Sequence, residues 1–102
     1  MKVGDIITAP ISSVHFRVEE RKQIGATYGV YGSYFVAKLS GYTEGIVVVD
    51  ALAQKMHPDW EKKTRERANI LTQELSGKSV RVRVIEVIRD EIFEAELLEL
   101  IK

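Results

Sequence analysis

Valine and arginine alternate along Val80-Arg81-Val82-Arg83-Val84. Successive side chains of a strand leave opposite faces, so this pattern predicts a strand with one face buried. Phe93, Ala95 and Leu97 alternate with Glu94 and Glu96 in the same way and predict a last strand over Ile92 to Leu98. Near the N-terminus, Val3 to Val18 reads as extended, with Ile6, Ile7, Ile11 and Val14 set among threonine and serine. Pro10 interrupts it. Proline brings no N–H to a ladder, so it marks a bulge or an edge position. Glu19-Glu20-Arg21-Lys22-Gln23 reads as a charged turn. Ile24 to Leu39, rich in aromatic and β-branched residues, predicts a second strand, which Gly25, Gly29 and Gly32 allow to bend. Ser40-Gly41-Tyr42-Thr43 predicts a hairpin loop, and Gly45 to Val49 a short apolar strand.

The period then changes. Between Pro58 and Leu75, Trp60, Thr64, Leu71 and Leu75 fall on one helical stripe with Ala68 beside it. Asp59 is the expected N-cap and Gly77 the expected stop. Lys62, Lys63, Arg65 and Arg67 read first as a solvated face, with Glu61 placed to pair with Arg65 one turn on, and otherwise as a basic rim for RNA or a docking surface. Three strands, a helix and two strands give a mainly β fold. The order suits a five-stranded OB-fold barrel with one α-helix between strands 3 and 4. The 102 residues fit one domain, 1–102.

Charge changes the picture only locally. Fifteen basic and fifteen acidic residues leave a formal net charge of zero. A protein that coats nucleic acid by charge alone carries a basic excess. Lys78, Arg81 and Arg83 form a basic patch, whereas Glu86, Asp90, Glu91, Glu94, Glu96 and Glu99 make the end of the chain acidic. There is no cysteine, which excludes disulfides, thiolate metal sites and a cysteine nucleophile and fits a reducing compartment. Met1-Lys2-Val3-Gly4-Asp5 does not open a secretory signal, and no apolar run reaches the roughly 20 residues that span a bilayer. A cytoplasmic location is expected.

The stretch Ala26 to Phe35 sets Tyr28, Tyr31 and Tyr34 three residues apart, with Gly29 and Gly32 between. Strand residues three apart face opposite ways, so the rings share a face only if a glycine bulge resets the register. A bulge at Gly32 would turn Tyr31 and Tyr34 outward together. Tyr28-Gly29-Val30-Tyr31 offers a second register of the same kind.

Three blocks resemble the S1 RNA-binding domain. Val3-Gly4-Asp5-Ile6-Ile7-Thr8 is similar to the family's Val-Gly-Asp-Ile-Val opening. Tyr31-Gly32-Ser33-Tyr34-Phe35, followed by Glu44-Gly45-Ile46-Val47, is similar to its Phe-Gly-Ala-Phe-Val and Glu-Gly-Leu-Val. Gly77-Lys78-Ser79-Val80-Arg81-Val82-Arg83-Val84-Ile85-Glu86-Val87 is similar to its Gly-Asp-Lys-Val-Lys-Val-Lys-Val-Leu-Glu-Val. The resemblance implies an OB barrel that binds single-stranded RNA on the outer face of its second and third strands. It implies stacking of bases on Tyr31 and Tyr34. Lys38, Lys78, Arg81 and Arg83 are the basic residues available to phosphate, although Lys78, Arg81 and Arg83 read first as the solvated outer face of a barrel strand. Val48 stands where the family often has histidine, Ile88 where aspartate is common, and Asp90 and Glu91 where a basic residue is usual. The long first hairpin and the helix over 59–76 are additions to the family plan.

Nothing points to catalysis. His15 and His57 have no neighbouring ligands at metal spacing, so no metal is expected, and no cofactor. Gly77-Lys78-Ser79 lacks the earlier glycine of a phosphate loop and leads into a strand. Two functions therefore stand open. One is a small non-enzymatic module for single-stranded RNA, or for single-stranded DNA. The other is an S1-like barrel serving as a protein–protein subunit or regulator in a transcription or translation complex, its partner held through the helix over 59–76.

Overall fold

Pro10 lies where the first strand changes partner. In the computed structural model, which describes residues 1–21 and 30–101 and the side chains of 1–18 and 32–101, β1 runs Ile6–Arg21. From Ile6 to Pro10 it pairs with β4, Ser79–Arg89, and from Ile11 onward with β2, Val30–Leu39. Ile11 opposes Leu39 and Ser13 opposes Lys38, so Ser12 is an extra residue, a bulge at the switch. Bulges bend a strand, and here the bend carries β1 from one side of the barrel to the other. β3, Glu44–Val48, pairs antiparallel with β2 and parallel with β5, Ile92–Leu100. The sheet closes in the order β1-β2-β3-β5-β4.

The end of β1 differs from the expected boundary. β1 continues through Glu19-Glu20-Arg21, which the charge pattern had assigned to a turn, because these residues pair with Gly32, Tyr31 and Val30. Lys22 to Gly29, with Gly25, Tyr28 and Gly29 among them, lies outside the described residues. The Ser40–Thr43 loop is as expected, with Gly41 at a φ of +92°.

Among the described residues there are two helices between β3 and β4, where one was expected: α1, Asp50–Met56, and α2, Arg65–Leu75. α2 starts at Arg65 because Thr64 caps it, its hydroxyl oxygen accepting from the Arg67 N–H at 3.2 Å. Asp59 is therefore not the cap. Trp60 lies in the connecting loop, its ring parallel to His57 at 3.9 Å and 5.2 Å from the Arg67 guanidinium. Glu61 lies outside the helix as well, and no Glu61–Arg65 ion pair forms. Gly77 does end α2, at a φ of +83° that glycine adopts without a Cβ clash.

The core is the barrel interior closed at one end by α2. Val80, Val82 and Val84 of β4 are fully buried with Phe93, Val47 and Ala37. Ala68, Leu71 and Leu75 of α2 pack on this core, and Leu71 and Leu75 have no exposed surface. Thr72, one residue from Leu71, faces the edge of β1 that points away from β2. Its hydroxyl accepts from the Val14 N–H at 2.8 Å and lies 3.0 Å from both the Val14 and Ala68 carbonyls, either of which can take its proton.

Candidate functional site

Outward-facing positions of four strands, with Arg17 of β1 beside them, line a groove of about 320 Å3. β2 supplies Tyr34 and Val36, and β3 supplies Ile46 and Val48. Val36 and Ile46 are only 5% and 9% exposed, yet they sit outside the barrel interior and line the groove. Val48, 48% exposed, and Ile85 open the apolar floor to solvent. Ile85 reaches the groove because it is an extra residue in β4: Val84 opposes Ala95 and Glu86 opposes Glu94.

The two walls differ in charge. Arg17 is the cross-strand partner of Tyr34 and forms one wall with it. Lys63, from the loop before α2, lies outside the groove lining and 6.0 Å from the Tyr34 ring centre. It is held there by the Ser33 carbonyl at 3.0 Å and by Asp50 at 3.2 Å. Asp50 in turn accepts from the Phe35 N–H at 2.7 Å, which ties the start of α1 to β2. The facing wall carries Glu86 and Glu94, direct cross-strand partners with no ion pair among the described residues.

The residues singled out in the sequence are not all gathered here. β2 pairs with β1 from Val30 to Lys38 without interruption, so Gly32 makes no bulge and positions 31 and 34 keep opposite parity. The Tyr31 side chain lies outside the described residues. Gly32 serves the tyrosine motif differently. A Cβ there would lie 2.6 Å from the Tyr34 hydroxyl oxygen, so the glycine is the space into which the Tyr34 ring folds. Lys38 is exposed two positions beyond Val36 and is not part of the groove lining. Lys78 is exposed just before β4. Arg81 and Arg83 are on the outer face, but each is bound to a carboxylate, Glu99 at 3.2 Å and Glu96 at 3.0 Å.

Arg17 is not singled out by the sequence patterns; Glu86 and Glu94 stand there only as part of an acidic end, and Lys63 only among the charges of the expected helix. Arg17 had a signal: an arginine flanked by Phe16 and Val18 on a strand predicts one outward charge. Its partner on β2 depends on the length of the first hairpin, which periodicity does not give.

Neither histidine enters the groove. His15 shares a hydrogen bond with the Ser13 hydroxyl at 2.8 Å, and His57 one with Glu74 at 2.6 Å. Among the described residues no three His, Cys, Asp or Glu side chains are grouped to hold a metal ion, and no helix is long and apolar enough to cross a membrane. No family model, curated protein or solved structure matches the chain.

Proposed function

We propose that this chain is an S1-like module of OB type that takes single-stranded RNA into the outer groove and performs no catalysis. The OB assignment is supported by the barrel order β1-β2-β3-β5-β4, by the parallel β3–β5 pair and by helices between β3 and β4. The observation that carries the function is the Arg17–Tyr34 pair beside an aliphatic floor. A ring stacks on any base, a guanidinium meets the phosphate, and Val36, Ile46 and Val48 pack against base or sugar. Single-stranded DNA offers the same ring faces and phosphates. A module of this kind serves translation or transcription machinery, where single strands are exposed.

Fluorescence anisotropy with a labelled RNA oligonucleotide at low salt tests it. Tyr34→Ala removes one stacking contact and is expected to cost about 1–3 kcal/mol of binding. Unchanged affinity in both Tyr34→Ala and Arg17→Gln would sink the proposal.

The facing Glu86 and Glu94 carboxylates favour a second reading, in which the groove receives a basic segment of a protein partner. Such a partner would satisfy the carboxylates and cover Val48 and Ile85. Crosslinking followed by identification of what is attached, nucleic acid or protein, separates the two.

A further inference from the structure

A second depression, of about 310 Å3, lies where α2 meets β1, lined by His15, Phe16, Arg65, Ala68 and Asn69. β1 stands between it and the groove. One edge of β1 pairs with β2, which carries Tyr34, and the other meets α2 through the Val14–Thr72 bonds. His15 and Arg17 occupy the same face of β1 two residues apart, a rise of about 7 Å along the strand. The two hollows are therefore adjacent, with His15 lining one and Arg17 the other.

The cations available at these hollows point the same way. Arg81 and Arg83 are engaged by Glu99 and Glu96. Arg17 and Arg65 have no carboxylate partner among the described residues. Arg65 also occupies the first turn of an eleven-residue helix, where the partial positive charge of the N-terminus disfavours a cation. Its place is a poor one for stability and a good one for a phosphate. Asn69, one turn on, brings an amide that both donates and accepts, and Phe16 brings a half-buried ring.

We infer that a bound single strand does not end in the groove but crosses β1 at Arg17 and His15 and continues into this second depression, where Arg65 holds a phosphate and Asn69 a base edge. The inference rests on the nucleic-acid reading of the groove and extends the site onto α2. It gives the added helix a ligand-binding role separate from closing the barrel.

Two oligonucleotides of one repeated base decide it, a short one of about 4 nucleotides that fills the groove and a long one of about 12 that reaches α2, both within the range one barrel of this type covers. The double variant Arg65→Gln with Asn69→Ala is expected to weaken the long strand about tenfold and to leave the short one unchanged. For the long strand, the slope of log affinity against log salt should become shallower by about 0.7, one single-strand phosphate contact. An unchanged long strand overturns the inference and leaves the groove reading standing. Equal losses for both lengths also overturn it, since Arg65 would then act through the fold or the groove. If the unaltered protein binds neither oligonucleotide, the groove reading falls first and the extension with it.

Discussion

The Thr72 hydroxyl replaces the neighbouring strand that Val14 lacks. β1 has left β4 by this point, and on that edge the Val14 N–H and carbonyl meet α2. A half-buried backbone N–H without a partner costs about 1–3 kcal/mol. Thr72→Val keeps the shape and removes the acceptor, so it is expected to destabilise the protein by that amount in urea unfolding. Thr72→Ser keeps the oxygen and should recover most of the loss. If both substitutions cost the same, packing of the methyl group, not the hydrogen bond, sets the role of Thr72.

Gly45 and Phe93 make a second such relationship, at the parallel β3–β5 pair. They are cross-strand partners, and a Cβ at Gly45 would lie 2.7 Å from the tip of the Phe93 ring. The ring has little room to retreat, since it is 1% exposed and Tyr42 packs edge-on against it at 5.0 Å. Gly45→Ala overpacks this end of the barrel and is expected to cost about 1–3 kcal/mol, read as a lower melting temperature. A companion Phe93→Leu should relieve part of the clash. If Gly45→Ala alone melts with the unaltered protein, the close approach of β3 and β5 is not a constraint.

The same contrast between local and long-range causes explains what could be read from the sequence. Val80, Val82 and Val84 announced a strand with a buried face because a strand's pattern is local, and all three are in the core. Pro10 announced a break in the ladder, and the partner switch is there. Helix periodicity misled at Trp60, because apolar spacing does not distinguish a helical stripe from a ring stacked on His57 in a loop. α1 went unread: at seven residues it carries too few turns to show a period. The groove was the least legible part. Tyr34 was visible in its motif, but Arg17, Ile85 and the Glu86–Glu94 pair reach it through hairpin length and bulges, which depend on contacts distant in sequence.

The ion pairs on β4 and β5 predict an order among the arginines. Arg81 and Arg83 would have to leave Glu99 and Glu96 before meeting a phosphate. Exposed pairs of this kind are each worth about 0–1 kcal/mol, so their loss should also leave stability nearly unchanged. Arg17→Gln is expected to lower RNA affinity several-fold more than Arg81→Gln or Arg83→Gln, measured by anisotropy at one salt concentration. An equal or larger loss from Arg81→Gln would move the phosphate path from the β1 wall to the outer face of β4.

The Glu86–Glu94 pair offers the sharpest separation of the two functional readings. Like charges directly opposite on an antiparallel ladder are destabilising, whereas opposite charges contribute roughly 0.2–1 kcal/mol. Glu86→Lys turns the repulsion across β4 and β5 into attraction, so a small rise in stability is expected whatever the groove binds. Its effect on binding has opposite signs in the two cases. With nucleic acid, a cation now stands on the wall facing Arg17, and affinity at low salt should rise several-fold with a steeper salt dependence. With a basic protein segment, the same change places like charges together and should abolish capture. A gain in stability together with weaker RNA binding would count against RNA in the groove, because only a ligand that uses the carboxylates would suffer from the exchange.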